Sequence, residues 1–150
     1  MLGRNEYLAV GEGRPMSDDR FAIQDVMLRY AAGVDERDMD MYQACFAEDV
    51  EVVGFSEENI VGDVAWRRHV EGALERFGST QHMLGPVLAE IVGDKAACRT
   101  DVQAFHCMVE PADATLILWA TYLSEMRKTE GGWKITRHEL VRRHTKMEGF

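Results

Sequence analysis

The second half of the chain decides the fold. From Thr80 to Thr145 it reads TQHMLGPVLAEIVGDKAACRTDVQAFHCMVEPADATLILWATYLSEMRKTEGGWKITRHELVRRHT. Apolar and β-branched residues fill this stretch, and turn-forming residues interrupt it at 93–94, at 111–113 and at 130–132. No helical period separates the segments, so the pattern predicts four long strands in a meander.

The first half is helical in its periodicity. Apolar residues within 21–34 recur at helical spacing, which predicts a helix that is capped by Ser17 and ends between residues 33 and 37. A short helix is expected near 39–46, and the valines of EDVEVVGF (48–55) predict a strand.

A third helix is expected to begin at Asp63 and to end at Gly78. Three helices followed by strands, without βαβ alternation, predict an α+β domain with the helices on one face of a curved, mainly antiparallel sheet. Residues 16–150 are expected to form this single domain. Residues 1–15 follow neither period, and we expect them to form a tail or a flap over a pocket.

The composition excludes several classes of protein. The chain has 150 residues, with 26 acidic against 17 basic ones and a formal net charge of −9, which repels the phosphates of nucleic acids and anionic membranes. Three cysteines without close spacing indicate neither a disulfide framework nor a zinc site. With no bilayer-spanning apolar run and no secretory signal, we expect a cytoplasmic protein that binds neither nucleic acid nor membrane.

Three polar residues are candidates for chemistry. Alternation along its strand places His106 on the apolar face, where it is either a hydrogen-bonded core residue or part of a small-molecule pocket. His82 begins the first long strand, and it too has a purely structural interpretation. Asp35 ends the first helix, where the helix dipole disfavours a carboxylate unless a partner such as an imidazole holds it.

A resemblance to a known family rests on YAAGVDERDMD (30–40), GDVAWRRHVEGAL (62–74), TQH (80–82) and His106, in that order. Over about residues 18–145 the chain resembles the SnoaL-like branch of the nuclear transport factor 2-like superfamily, and within it the scytalone dehydratase-like proteins. The resemblance implies a cone-shaped fold with a ligand pocket inside. It also implies a lyase that dehydrates a small hydrophobic, cyclic or aromatic hydroxy-carbonyl compound with no cofactor and no metal.

The resemblance implies catalytic places for Asp35, His82 and His106. His82 would take a proton from carbon, Asp35 would orient an imidazole, and His106 would donate to the leaving or carbonyl oxygen. The dehydrohalogenases of the superfamily are similar too, since they pair an aspartate in a segment like GVDER (33–37) with a strand histidine. By that similarity, Arg127 is expected near the pocket.

The chain also departs from the scytalone dehydratase pattern. Val34 and Gly54 stand where that pattern has two tyrosines, and Tyr122 stands in the place of an asparagine. Scytalone itself is therefore not the expected substrate. We expect a tyrosine to enter the site instead from position 122 or from Tyr30, one helical turn before Val34.

The expected pocket surrounds His106 with apolar and aromatic side chains. Its predicted members are Val26, Tyr30, Val34, Trp66, Met83, Val102, Ala104, Met108 and Tyr122. Among them, the residues predicted to bind substrate are Tyr30, Val34, Trp66, Val102, Met108 and Tyr122.

Other interpretations remain open. Two histidines and one aspartate also suit a metal site, although no short metal-binding motif joins them. The fold also serves ligand carriers and scaffolds, so a non-catalytic binding protein is the alternative, with a dehydrohalogenase or isomerase variant beside it. An isomerase needs a pocket carboxylate, for which Asp101 is poorly placed. His138 and His144 are expected on a solvated or subunit-facing surface, and the uncovered sheet face predicts a homodimer or homotrimer.

Overall fold

The computed structural model describes residues 15–150, which form three helices and one seven-stranded sheet. The helices are α1 (Pro15–Asp35), α2 (Met39–Gln43) and α3 (Asp63–Leu74). The strands are β1 (Phe46–Val53), β2 (Ile60–Val61), β3 (Phe77–Leu84), β4 (Leu88–Val92), β5 (Lys95–Met108), β6 (Thr115–Thr129) and β7 (Gly132–Glu148). Residues 1–14 of the expected tail lie outside the described residues, and Pro15 begins α1.

The sheet has the order β2-β1-β7-β6-β5-β3, and β4 also pairs with β5. Every pairing is antiparallel except that of β1 with β7, which is parallel. The helices pack on the inner face of this curved sheet, and α1 supplies its apolar stripe to the core through Ile23, Met27 and Tyr30. The predicted α+β cone with a mainly antiparallel sheet is therefore confirmed.

Three predicted boundaries are wrong. Helix α1 begins at Pro15, so Ser17 lies inside it and is not its cap. Helix α3 ends at Leu74, and Gly78 lies within β3, because pairing with β5 overrides the helical period there. The expected first long strand is two strands, since Gly85 and Pro86 separate β3 from β4.

The end of α1 is shaped by a close approach between two helices. A Cβ on Gly33 would lie 2.8 Å from the backbone nitrogen of Tyr42, so only glycine lets α2 fold back against α1 here. Arg37 then turns the chain with φ of 60°, a left-handed conformation that is uncommon for a residue with a side chain. This turn places Asp35, the last residue of α1, against β3.

His138 contradicts its expected exposure. A bulge in β7 lets Glu125 pair with Arg137 but Met126 with Ile135, which reverses the alternation from Thr136 onward. His138 is consequently fully buried on the inner face, whereas His144, beyond a second bulge, is exposed. Among the described residues, no helix has the length and apolar character that crossing a bilayer requires.

Candidate active site

Asp35 and His82 form a hydrogen-bonded pair between α1 and β3. The Asp35 Oδ1 lies 2.7 Å from His82 Nδ1, and the Asp35 Oδ2 accepts the backbone N–H of His82 at 2.7 Å. Both side chains are largely shielded from solvent, with 15% and 11% of their surfaces exposed. One carboxylate thus fixes both the ring and the backbone of the same residue.

Thr80 and Arg37 hold the Asp35 carboxylate in place. Thr80 donates its hydroxyl to Asp35 Oδ1 at 2.9 Å and accepts a guanidinium N–H of Arg37 at 2.8 Å. Because Arg37 occupies the acceptor side of the Thr80 hydroxyl, the hydroxyl hydrogen is directed at Asp35. Arg37 also donates to the carbonyl of Val34 on α1. The contacts of its side chain with Val34 and Thr80 stabilise the left-handed backbone conformation of Arg37.

The charge on Asp35 follows from these contacts. Burial raises the pKa of this carboxyl, but the hydrogen bonds from the His82 ring and backbone, the charge of His82 and the Thr80 hydroxyl together hold the pKa below its usual 3.8. Asp35 is therefore ionised at neutral pH and can only accept. In the neutral form of the His82 ring, Nδ1 must then carry the hydrogen, which leaves the lone pair on Nε2.

His106 lies beside this pair on the neighbouring strand. Thr80 pairs with His106 and His82 pairs with Ala104, so β3 and β5 present alternate side chains to the same space. The rings of His82 and His106 are 5.8 Å apart, edge to face. The structure thus brings the three predicted catalytic residues together.

The expected donor function of His106 does not fit its contacts. His106 Nδ1 lies 3.1 Å from the carbonyl of Leu116, which can only accept, so Nδ1 carries the hydrogen and Nε2 is an acceptor in the neutral ring. Burial lowers the pKa of His106, against the effect of this hydrogen bond. At neutral pH the uncharged ring can accept a hydrogen bond from a ligand but cannot donate one from Nε2.

A cavity of about 210 Å³ lies next to the two histidines, between the helices and the sheet. Its lining residues are Tyr30, Val34, Tyr42, Phe55, Trp66, His69, Val70, Ala73, Leu74, Arg76, Phe77, His82, Ala104, His106, Leu118, Tyr122 and Leu140. A dry cavity of about 150 Å³ is enough to bind benzene. The cavity therefore has room for a molecule of one or two rings, with aromatic side chains around it and few polar groups.

A second cluster of polar groups, which is buried, adjoins the cavity wall at Tyr30. Tyr30 Oη lies 3.0 Å from His138 Nε2, and Ser124 Oγ lies 2.9 Å from His138 Nδ1. Trp66 donates its indole N–H to Tyr42 Oη at 3.1 Å. The chain thus brings a tyrosine into the cavity from position 30 and another from position 122.

Some predicted pocket residues lie elsewhere. Val102 is buried in the core and Met108 lies at the end of β5, and neither borders the cavity. Val26 packs on the core outside the cavity. Met83 is 61% exposed, because it alternates with His82 along β3 and points to the opposite face.

Two further expectations based on resemblance are resolved by the geometry. Arg127 lies on β6 near Asp49, 3.5 Å from its carboxylate, and is not part of the cavity wall. Gly54 has φ of 83°, and a Cβ there would lie 2.6 Å from the carbonyl oxygen of Leu140. No tyrosine fits at Gly54 on this backbone, which accounts for the departure from the dehydratase pattern.

The sequence contained signals for some of the functional residues that were not predicted. Arg37 and Thr80 lie within the GVDER and TQH segments, and their polarity next to Asp35 and His82 was a usable signal. The contribution of His138 had no such signal, because the bulge that turns it inward follows from pairing between distant strands.

Comparisons with known proteins agree with this architecture. A model of the SnoaL-like domain matches residues 15–139. An uncharacterised protein of Mycobacterium tuberculosis is 26% identical over 136 residues, which is 86% of this chain and 88% of the relative.

Two solved structures show the same architecture. A candidate scytalone dehydratase of Novosphingobium aromaticivorans is 26% identical, with a TM-score of 0.79 over 89% of this chain and 93% of that one. A hexachlorocyclohexane dehydrochlorinase of Novosphingobium barchaimii is 23% identical, with a TM-score of 0.79 over 90% of this chain and 94% of that one. At that identity the likeness to the dehydrochlorinase shows the fold alone.

Proposed function

The chain belongs to the SnoaL-like domain family, and we propose that it is a lyase. In this proposal the protein removes water from a small cyclic or aromatic hydroxy-carbonyl compound through acid–base chemistry of its own side chains. The observation that carries this proposal is the Asp35–His82 pair, 2.7 Å between Oδ1 and Nδ1, at the wall of an aromatic cavity. A shielded carboxylate behind an imidazole is the usual arrangement for a histidine that acts as a general base.

The proposed reaction uses His82 twice. The lone pair of His82 Nε2 takes a proton from the carbon next to the carbonyl, and Asp35 stabilises the resulting imidazolium across the Nδ1 hydrogen bond. The electron pair left on carbon forms the new double bond as the β-hydroxyl departs. His82 Nε2–H then gives its proton to that hydroxyl, so that water leaves and the neutral imidazole is restored.

His106 favours a hydroxyl over a halide as the leaving group. Its neutral Nε2 is an acceptor, because Nδ1–H is held by the Leu116 carbonyl. A substrate hydroxyl can donate to this nitrogen, whereas a halide has no hydrogen to offer and would face a lone pair. An acceptor at this position therefore supports binding of a hydroxy compound over binding of a halogenated one.

The cavity wall supports an aromatic or cyclic substrate. Tyr30, Val34, Trp66 and Tyr122 surround the space next to His82, and we propose that they bind the carbon skeleton. A flat ring among these side chains buries apolar surface on both faces, while the histidines remain at its edge.

The test is a screen of β-hydroxy ketones built on one ring and on two fused rings, with loss of one water followed by mass spectrometry. We expect turnover by the wild-type protein and at least a hundredfold less by His82→Ala, in line with the typical range of about 10²–10⁴ for a general base. His144→Ala is the matched control, because His144 is an exposed histidine on β7.

Two outcomes would contradict the proposal. Binding of the hydroxy ketones without turnover would favour a ligand-binding protein. A greater acceleration over buffer for the matched β-chloro ketones than for the hydroxy ketones would show that the leaving group is a halide.

A further inference from the structure

The cavity beside His82 reaches the protein surface near the end of α3. His69, Ala73 and Arg76 all line the cavity, and they follow one another at the i, i+4 and i+7 spacing of one helix face. Arg76 lies just beyond α3, but the C-cap Glu75 keeps helical dihedral angles of −58° and −26°. His69 and Arg76 are exposed. A side chain that lines the cavity and also contacts solvent lies where the cavity opens, so these two side chains form part of its mouth.

Contacts of its backbone and its side chain fix the position of Arg76. Its carbonyl accepts the backbone N–H of Val109 at 3.0 Å, and its guanidinium carbon lies 5.3 Å from the centre of the Phe77 ring. The Phe77 ring in turn lies 4.6 Å from the ring of His106. A guanidinium that packs on an aromatic ring keeps the N–H groups at its edge free to donate. Arg76 is therefore anchored at the cavity wall with its donors available.

Within residues 15–150, the Arg76 guanidinium forms neither an ion pair nor a hydrogen bond, although the chain has 26 acidic residues and only 17 basic ones. Arg67 on the same helix differs, since it pairs with both Asp40 and Glu71. The planar N–H groups of a guanidinium match the two oxygens of a carboxylate. The free guanidinium of Arg76 is therefore suited to bind an anion at the cavity mouth.

The charges of the cavity wall also favour an anion. Among the lining residues that the structure describes, Arg76 alone carries a permanent charge, and none is a carboxylate. Asp35 lies outside the lining, where its charge is paired with His82. The net charge of −9 repels anions from the protein as a whole, so an anionic ligand gains from a cation placed where it enters.

We propose that Arg76 is a specificity-determining residue that binds a carboxylate on the substrate, so that the compound dehydrated at His82 is a hydroxy-carbonyl acid. This rests on the proposed function and adds a negative charge to its substrate class. A carboxylate at the mouth holds one end of the ring system while the carbon next to the carbonyl lies at His82. His69 supplies a second N–H at the mouth, and its ring is held against Trp66 with the centres 5.5 Å apart and the planes 14° apart.

The experiment measures binding of ketones that differ only in charge. The probes are 1-tetralone-6-carboxylate and 1-tetralone-7-carboxylate, two bicyclic aryl ketones without a leaving group, and their uncharged primary carboxamides. Titration at neutral pH gives the dissociation constant of each. We expect the wild-type protein to bind at least one carboxylate about three- to tenfold more tightly than its carboxamide. The preference should shrink at high salt, because an ion pair at the protein surface is screened.

Three variants assign the preference to the guanidinium. Arg76→Gln should bind the carboxylate no better than the carboxamide, while its unchanged affinity for the carboxamide shows that the cavity is intact. Arg76→Lys should keep part of the preference, because it retains the charge but not the planar pair of donors. Arg68→Gln is the matched control, since Arg68 is an exposed arginine of α3 outside the cavity lining, and it should keep the full preference.

Several results would overturn the inference. They are absence of binding by all four ketones, equal binding of carboxylate and carboxamide by the wild-type protein, and a preference that survives Arg76→Gln. Loss of the preference in Arg68→Gln as well would assign it to the net charge of the protein and would also overturn the inference.

These failures are separable from those of the proposed function. Binding of the carboxylates that depends on Arg76, without elimination from any hydroxy ketone or hydroxy acid, would contradict the proposed function alone. Elimination from neutral hydroxy ketones, with no preference for the acids and no effect of Arg76→Gln, would contradict the inference alone.

Discussion

Replacing the Asp35 carboxylate by an amide tests the direction of every hydrogen bond at the base. Asp35 accepts three donors: His82 Nδ1–H and the Thr80 hydroxyl at Oδ1, and the His82 backbone N–H at Oδ2. The side-chain amide of the Asp35→Asn variant has only one acceptor atom, so its NH₂ group must face a donor in either orientation.

The two orientations differ in cost. With the amide oxygen in the place of Oδ1, the NH₂ faces the backbone N–H of His82, which cannot turn away. With the oxygen in the place of Oδ2, the NH₂ faces the Thr80 hydroxyl, which can rotate, and the His82 ring, which can move its hydrogen to Nε2. We expect the second orientation, with the free energy of unfolding lowered by about 1–3 kcal/mol for the lost bond.

The consequence for activity is larger than that for stability. A His82 ring with its hydrogen on Nε2 has no lone pair for the substrate, and the neutral amide does not stabilise an imidazolium. We expect kcat to fall by about 10²–10⁴ while the variant remains folded. The assays are turnover of the hydroxy ketone found by screening, urea unfolding and ¹⁵N shifts of His82.

The matched control is Asp25→Asn, the same change on an exposed carboxylate of α1 that pairs with Arg29. It should leave turnover, stability and the His82 hydrogen unchanged. An Asp35→Asn protein with His82 still protonated on Nδ1 and with undiminished turnover would refute the reasoning.

Three other changes give measurable outcomes. Burial lowers the pKa of His138 from 6.5 to about 3, so below pH 6.5 the unfolded chain binds a proton that the folded chain does not, and stability is lost as the pH falls. Because of this residue, the free energy of unfolding measured in urea should decline by up to about 1.4 kcal/mol per pH unit between pH 6.5 and pH 3. The His138→Gln variant should lack that part of the pH dependence. Gly54→Ala should lower the free energy of unfolding by about 1–3 kcal/mol, because φ at Gly54 is 83° and the added Cβ would meet the carbonyl of Leu140. The control is Gly72→Ala on α3, where no atom lies within 4 Å of the added Cβ. This change should raise the free energy of unfolding by up to about 1 kcal/mol. Arg37→Gln should lower kcat about three- to tenfold with KM unchanged, because loss of the guanidinium lets the Thr80 hydroxyl rotate away from the Asp35 carboxylate. An unchanged kcat would show that the guanidinium is not needed to hold the Thr80 hydroxyl.

Local patterns were sufficient for the architecture, whereas the expected site residues came from the resemblance to a family. The helical period predicted the end of α1, and strand alternation placed His106 on the inner face. The expectation that Asp35 and His82 act together rested on the family resemblance of the segments GVDER and TQH, and the structure brings the two residues into contact. His106 sits where the regular geometry of its strand continues, whereas Asp35 ends α1 and Arg37 turns the chain just beyond it with φ of 60°.

The predictions that failed depended on irregular or long-range geometry. The inward position of His138 depends on a bulge between β6 and β7, which no count along β7 alone reveals. Val102 shares a strand face with His106, but alternation says nothing about where along that face the helices leave space, and at Val102 the core is filled. The direction of the His106 hydrogen required the Leu116 carbonyl of the neighbouring strand.

The claim that His82 removes a proton from carbon is tested most directly by deuterium exchange into 1-tetralone, a bicyclic aryl ketone without a leaving group, in D₂O. Proton NMR measures the loss of the hydrogens next to the carbonyl. This reaction needs the base and the cavity but no leaving group. We predict that the wild-type protein exchanges the hydrogens next to the carbonyl faster than buffer does, and that His82→Ala does not while His144→Ala does. Exchange no faster than in buffer, or an undiminished rate in His82→Ala, would contradict the account.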